Sequence, residues 1–210
     1  SPQSRQRLFI VAHKGKLPAG LDAGAPDDLY HPPALRAAVA KLPDATHMAW
    51  VWWRLPHPPR RNTDLAALLE RDPPAEVWRS DADTQRLLSQ MAPLHRQRVE
   101  AALADPSWNA GAVYRRTQRA DIRYEGLPAC LRTPAGPTSK QLLLVTEKGR
   151  VRLRLLLARE AARLMGLPDT YRLPAGETHA LKVMGDGVSV PVVRWLGQNL
   201  LSPLAGAKGA

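Results

Sequence analysis

Two neighbouring segments in the last quarter of the chain constrain its fold more than any other feature. Residues 159–169 read Arg-Glu-Ala-Ala-Arg-Leu-Met-Gly-Leu-Pro-Asp, which predicts a short helix capped by Gly166 and stopped by Pro168. Residues 185–195 read Gly-Asp-Gly-Val-Ser-Val-Pro-Val-Val-Arg-Trp, a glycine turn that leads into an apolar segment. We predict a mostly apolar helix over Val188–Leu201 that is buried against another part of the protein.

A third segment lies at the start of the sequence, where Gln3-Ser4-Arg5-Gln6-Arg7 precedes the apolar run Leu8–Ala12. The apolar run predicts a short strand buried on both faces. In this order the three segments resemble sequence blocks of DNA cytosine-5 methyltransferases, a family in which the region between the blocks reads the DNA target. The resemblance is strong over residues 3–12 and 152–201 and weak between them.

The resemblance implies an α/β protein with a divided chain. A small mixed α+β target-recognition domain is expected beside an end strand and a C-terminal helix. That strand and helix would belong to a Rossmann-like, S-adenosylmethionine-dependent methyltransferase domain whose main part is absent from this chain. The expected division is 1–15 for the strand, 16–178 for the target-recognition domain, 179–202 for the returning helix and 203–210 for a flexible tail.

The resemblance also implies roles for individual residues at the two ends of the chain. Arg7 would donate to the carbonyl of a flipped cytosine, Arg5 would support that pocket, and Gln3 would orient its neighbours. Asp186 and Gly187 stand where the family has a Gly-Asn-Ser/Ala turn that closes over S-adenosylmethionine. An aspartate keeps the acceptor capacity of asparagine but loses the amide donor, so binding of the cofactor by this chain alone is expected to be weak or absent.

The only thiol of the chain is Cys130. Chemistry on a duplex base requires that the base leave the stack, and in the family a thiolate then attacks C6 so that C5 takes the methyl group. The surroundings and chain position of Cys130 do not match the family's Pro-Cys block, so we predict a small buried residue there. The nucleophile and the methyl-donor loop are expected in an N-terminal catalytic half, on the same polypeptide or a separate subunit, and this chain alone is expected to be inactive.

Positive charge is concentrated in the presumed recognition region. The chain has 30 Lys and Arg against 19 Asp and Glu, and residues 112–164 hold twelve basic side chains against four acidic ones. Such a cluster favours contact with phosphates, although a solvated arginine-rich face or a plain surface turn is the alternative. The expected partner is double-stranded DNA, and the candidate contact residues are Arg115, Arg116, Arg119, Arg132, Thr133, Ser139, Lys140 and Gln141.

Local patterns predict the remaining secondary structure. The six histidines show no spacing typical of a metal site. A single cysteine excludes an intramolecular disulfide, which favours a reducing compartment such as the bacterial cytoplasm, at the nucleoid. No apolar run approaches the ~20 residues that span a bilayer. The predicted elements are helices at Ala34–Leu42, Asp64–Arg71, Ala82–Met91 and Pro93–Ala104, a strand at Ala49–Trp53, and a hairpin of Leu142–Thr146 with Val151–Leu155.

Taken with the resemblance, these patterns favour the C-terminal DNA-recognition portion of a DNA (cytosine-5-)-methyltransferase of a restriction–modification system. Two other functions stay open. One is a non-catalytic DNA-binding subunit or remnant, and the other is a portion of an RNA cytosine-5 methyltransferase built on the same blocks. The DNA sequence that would be read does not follow from the residues.

Overall fold

The structure is a computed structural model that describes residues 7–60, 62–116, 119–128, 130–131, 133 and 140–206. Two compact units make up the chain. The sheet unit combines Ser1–Arg7 with Arg60–Pro191, and the terminal unit combines Leu8–Pro59 with Val192–Ala210. These boundaries lie near residues 8, 60 and 191, whereas the domain boundaries expected from the sequence lie near residues 15, 178 and 202.

Helices and one small sheet provide the regular structure, and this mixed α/β content confirms the predicted fold class at that level. In chain order the helices are α1 (Pro33–Val39), α2 (Asp44–Met48), α3 (Asp81–Ser89), α4 (Pro93–Ala104), α5 (Ala158–Leu164), α6 (Glu177–Asp186), α7 (Val190–Leu196) and α8 (Ser202–Gly206). The strands are β1 (Asn109–Arg116), β2 (Arg119–Arg123), β3 (Leu142–Glu147) and β4 (Arg150–Leu155). Short 3₁₀ turns lie at Leu65–Leu68 and Ala75–Val77, and a π-helical turn lies at Gly197–Leu201.

The sheet is antiparallel, with strand order β2–β1–β3–β4. Strands β3 and β4 form the predicted hairpin, in which Glu147 pairs with Arg150 across a two-residue turn. Both turn residues have positive φ, 49° at Lys148 and 72° at Gly149, the backbone twist that tight hairpins require. The prediction of this hairpin is therefore confirmed.

Helices cover both faces of the sheet. On one face Val113, Ile122 and Leu144 pack with residues of α3 and α4, and on the other Leu143 and Val145 pack with residues of α5 and α6. A strand that is covered on both faces has no side facing solvent, so its sequence does not alternate between apolar and polar residues. This explains why β3 begins with three consecutive leucines, all buried.

Both edges of the sheet are occupied by neighbouring segments. At the β2 edge, the backbone N–H of Ala120 donates to Gln90 O at 3.2 Å, and the His95 ring lies 3.2 Å from Ile122 O. At the β4 edge, the backbone N–H of Arg79 donates to Leu153 O at 2.8 Å. Covered edges leave no row of open backbone groups for another strand to join.

A buried ion pair holds the sheet against α5. The guanidinium of Arg154 donates to both oxygens of Glu160 at 2.8 and 2.9 Å, and both side chains are fully buried. Arg154 also donates to the carbonyls of Leu155 and Glu70, while Glu160 accepts from the backbone N–H groups of Glu70 and Leu157. Such further bonds offset the cost of burying the pair, and of the Arg154 nitrogens only Nε is buried without a hydrogen-bond partner among the described residues. We call this set of bonds the Arg154–Glu160 hub.

Two carboxylates bind the first backbone N–H groups of α5. The residue before the helix is Leu157, which has no side-chain acceptor, so a Ser or Thr cap is missing. Glu160 instead accepts from the N–H of Leu157 at 2.8 Å, and Glu177 of α6 accepts from the N–H of Ala158. Negative charge is favourable at a helix N-terminus. Helix α5 is therefore stabilised by residues inside and beyond its own sequence block.

The glycine after α5 is required by its backbone and by its surroundings. Gly166 has φ of +80°, and a Cβ there would lie 2.4 Å from Cδ of Pro191. We expect Gly166→Ala to lower the free energy of unfolding by about 1–3 kcal/mol from the backbone strain alone, and by more because of the clash. Urea denaturation measures the loss. Gly149→Ala is the matched control, because Gly149 has φ of +72° but a Cβ there would meet no neighbouring side chain within 4 Å; equal losses would exclude the clash.

Three predictions of secondary structure are wrong. Leu8–Ala12 forms no strand, and Leu8 and Ile10 are 62% and 74% exposed, because no described segment pairs with this run. Ala49–Trp53 makes only an isolated bridge at Trp53, since α2 runs directly into Ala49. Asp64–Arg71 has only the short turn Leu65–Leu68, because the Arg154–Glu160 hub binds the backbone of Glu70 and so ends any helix.

Other helix predictions are confirmed with slightly different ends. Helix α4 begins at Pro93, as expected for proline in a first turn, and α3 begins after Ser80, whose hydroxyl accepts from the N–H of Asp83. Helix α6 overlaps the start of the segment 179–202 that was expected to hold one helix, but it ends before Gly187 and α7 follows separately. The apolar C-terminal segment is helical as predicted, but its burial is uneven: Leu200 is buried, whereas Val193 is 45% exposed.

Candidate nucleic-acid interface

The β1–β2 pair presents arginines at the end where β1 finishes and β2 begins. In the antiparallel register Arg115 pairs with Ala120, and Arg116 pairs with Arg119. Arg115 and Arg119 are exposed, while the side chain of Arg116 lies outside what the structure describes. Because successive strand residues point to opposite faces, Arg115 lies on the same face as Val113. That face is the one covered by α3 and α4.

A cleft of about 260 Å³ opens between α3 and the sheet, and Arg115 lines it. Two further arginines, Arg79 and Arg86, stand around the same cleft. The sequence pattern singled out neither of them, because they precede the basic region and come from a loop and a helix. Neither residue carries a local signal that links it to Arg115. The lining is completed by Asp83, Leu87, Gln90, Leu142 and Leu153.

The second predicted contact segment, 132–141, is described only in part. Arg132 and Ser139 lie outside the described residues. The Gln141 amide donates to the backbone carbonyls of Val113 at 3.1 Å and Leu142 at 3.2 Å, and so fastens the start of β3 to β1. Lys140 is half-buried beside it. The structure thus gives Gln141 a role within the sheet and leaves its predicted contact with DNA as a proposal.

The residues predicted to contact the methyl donor lie at the end of α6. Asp186 is the last residue of the helix and is exposed, and Gly187 follows as its cap. The hydroxyl of Thr133 donates to a carboxylate oxygen of Asp186. A predicted DNA-contact residue and a predicted donor-contact residue are therefore directly bonded to each other, which the sequence did not indicate.

The predicted catalytic block is described only from Arg7 onward. Arg7 is exposed, and Gln3 and Arg5 lie outside the described residues. Cys130 is only half-buried, so the prediction of a buried residue was wrong in degree, and its thiol lies 3.6 Å from Leu131 O.

Many of the basic side chains in residues 112–164 serve the fold itself. Arg154 is buried in the hub, and Arg152 lies over the ring of Trp78 at 3.6 Å. Arg163 forms ion pairs with Asp169 and Glu70, each at 2.7 Å. The bond to Asp169 is the main cause of a raised pKa at Arg163, and the same bond lowers the pKa of Asp169. The number of basic residues in this region is therefore larger than the number that a polyanion can contact.

Neither a metal centre nor a membrane span is found in the described ranges. Within them no group of three or more His, Cys, Asp or Glu side chains is placed to hold a metal ion. Among the described helices, none has the length and apolar character needed to cross a membrane.

Comparison with known proteins points to one family. The sequence profile of the family described as C-5 cytosine-specific DNA methylase matches residues 1–202. The type II methyltransferase M.HpaII of Haemophilus parainfluenzae is 38% identical over 58 residues, which are 28% of this chain and 16% of that protein. M.SsoII of Shigella sonnei is 36% identical over 62 residues, 30% of this chain and 16% of its own length. M1.ScrFI of Lactococcus lactis subsp. cremoris is 33% identical over 66 residues, 31% of this chain and 17% of its own length. The matched segments span about a sixth of the length of these relatives. The profile match covers nearly the whole chain, and the chain therefore belongs to the C-5 cytosine-specific DNA methylase family.

Proposed function

We propose that this chain is the DNA-recognition portion of a cytosine-5 methyltransferase that modifies a flipped cytosine in a specific duplex site, within a bacterial restriction–modification system. One observation carries the proposal. The family block at 159–169 supplies Glu160 of the Arg154–Glu160 hub, and the sheet held by that hub presents arginines at the β1–β2 hairpin and around the adjoining cleft. The block therefore supports a basic surface suited to the DNA backbone.

Residues at the ends of the chain would complete the reaction site. We assign Arg7 to donate to the carbonyl of the flipped base, with Arg5 and Gln3 supporting it. S-adenosylmethionine would supply the methyl group. The exposed carboxylate of Asp186 suits the amino and hydroxyl donors of that cofactor, and the bond from Thr133 occupies only part of its acceptor capacity. Gly187 packs closely on its neighbours, since a Cβ there would lie 3.3 Å from Cε of Met165.

The nucleophile has to come from outside this chain. The only thiol is Cys130, which stands in the sheet unit after the Arg7 block and outside any Pro-Cys pattern. We infer that the thiolate and most of the donor pocket belong to a Rossmann-like catalytic half, on the same polypeptide or a separate subunit, in the cytoplasm.

Incubation of this chain alone with labelled S-adenosylmethionine and mixed-sequence duplex DNA should give no methyl incorporation, because the thiolate that activates C5 is missing. Filter binding of the DNA measures the incorporated label. Addition of a catalytic half from a relative provides the positive control. Incorporation above a protein-free blank by this chain alone would contradict the division of labour proposed above.

The chain alone should nevertheless bind duplex DNA, mainly without sequence preference. Each neutralised phosphate contributes about 0.9 to the slope of log affinity against log salt, so about four to six contacts predict a slope near −4 to −5. Fluorescence anisotropy of a labelled duplex over a series of salt concentrations measures it. A slope near zero would mean that the positive charge serves packing or solubility, and stronger competition by transfer RNA than by duplex DNA would favour an RNA substrate.

A further inference from the structure

The cleft between α3 and the sheet differs from an ordinary basic surface because its floor is apolar. Leu87, Leu142 and Leu153 line it and are each no more than 5% exposed. The exposed side chains around this floor are polar or charged. They are Arg79, Arg86, Arg115, Asp83 and Gln90.

Among the described residues that line the cleft, three carry a guanidinium and one carries a carboxylate, so their net charge is positive. Asp83 accepts from Arg86 at 3.3 Å and from the hydroxyl of Ser80 at 2.9 Å, and the ion pair offsets part of the charge of both Asp83 and Arg86. A cleft of one dominant charge over low-dielectric walls focuses the electric field. Guanidinium groups also match the oxygens of a phosphate with paired, parallel hydrogen bonds.

Three separate elements position the arginines. Arg79 is held by its backbone N–H, which donates to Leu153 O of β4 at 2.8 Å. Arg86 lies in the second half of α3, and Arg115 lies near the end of β1. The sheet fixes the positions of all three elements. The tertiary fold, and not the conformation of a single loop, therefore places the three arginines around one cleft.

We propose that this cleft binds one backbone phosphate of the duplex, with Arg79, Arg86 and Arg115 as its ligands. The inference rests on the proposed function in DNA recognition, and adds to it a defined anion site with two ligands from outside the basic region. Asp83 opposes the anion, and therefore limits the affinity of the site. Bases are read elsewhere, so contact here fixes register on the duplex without reading its sequence.

Simultaneous Arg79→Ala, Arg86→Ala and Arg115→Ala replacement in the full chain tests the proposal. Loss of one phosphate contact should flatten the salt slope by about 0.9, which corresponds to roughly eightfold to tenfold weaker binding of a labelled duplex near 0.1 M salt. The matched control, Arg60→Ala with Arg172→Ala and Lys182→Ala, removes the same formal charge from exposed positions elsewhere in the sheet unit. The control should change the slope much less.

A second variant tests whether negative charge at the cleft weakens binding of the duplex. Asp83→Asn removes the carboxylate in the described lining of the cleft, so binding of the same duplex should become tighter. Weaker binding would overturn the phosphate assignment, because it would mean that Asp83 accepts a hydrogen bond from a base amine. Thermal melting shows whether each variant folds. If the alanine variant unfolds, Asp83→Asn and the three Arg→Lys replacements test the proposal instead. Lysines keep the positive charge, so the salt slope of DNA binding should stay the same, but they lose the paired hydrogen bonds to the phosphate.

The outcomes separate this proposal from the proposed function. An unmodified chain that fails to bind duplex DNA overturns both. An unmodified chain that binds with the expected slope, together with cleft and control variants that bind equally well, overturns the cleft alone.

Discussion

Glu160→Gln is expected to lower the free energy of unfolding by about 3–5 kcal/mol, the largest effect on stability of any single replacement considered for this chain. Glutamine keeps the shape of the side chain but removes its charge. The guanidinium of Arg154 would then be buried without a counter-ion, since both partners are fully buried in the native chain. The loss is measured by urea denaturation followed by tryptophan fluorescence.

Two further variants show whether the charge itself is responsible. Glu70→Gln breaks the ion pair with Arg163, whose side chains are 40% and 23% exposed, and should cost no more than about 1 kcal/mol. The double replacement Arg154→Met with Glu160→Met removes both charges and should recover part of the stability. Recovery stays incomplete because the backbone N–H groups of Glu70 and Leu157 lose their acceptor. A loss below about 1 kcal/mol for Glu160→Gln would show that the hub does not hold the sheet unit together.

Arg7→Ala should reduce turnover of the complete enzyme by about 10²–10³-fold, the range found when one hydrogen-bond donor to a developing charge is removed. The expectation follows from the assigned role, in which Arg7 stabilises charge on the base while the thiolate attacks. DNA affinity should change little, because phosphate contacts dominate it. Single-turnover methylation and equilibrium binding, measured on the same preparations, separate the two quantities.

Arg172→Ala is a suitable control, since Arg172 is an exposed basic residue without an assigned role in catalysis. It should leave turnover unchanged. If Arg7→Ala lowers turnover and DNA affinity by equal factors, Arg7 positions the DNA and does not stabilise the reacting base.

Local signals in the sequence were sufficient for several elements. Pro93 starts α4, Gly149 closes the β3–β4 hairpin, and Gly166 ends α5, because each of these residues restricts the backbone at its own position. Where structure depends on distant partners, the same patterns failed. The run Leu8–Ala12 has strand character, but a strand needs a neighbour, and the described residues supply none.

The candidate interface was predictable in outline only. The density of charge pointed to the region of Arg115, but the number of basic residues does not distinguish an exposed arginine from Arg154 or Arg163, which are committed to ion pairs inside the fold. Arg79 and Arg86 lie near Arg115 only because the loop and the helix that carry them pack against the sheet. That proximity is a property of tertiary structure and leaves no trace in the local sequence.

The Arg154–Glu160 hub has a consequence for how such a protein can diversify. Beyond the bonds between the two side chains themselves, its hydrogen bonds end on main-chain atoms of Glu70, Leu155 and Leu157. Main-chain groups are supplied by every residue type except that proline lacks the N–H. Two side chains therefore join two distant segments, the backbone at Glu70 and the stretch from β4 to the start of α5, through main-chain groups that most residue types supply. The surface around the junction can then be rebuilt for a new DNA target while the frame beneath it keeps its geometry.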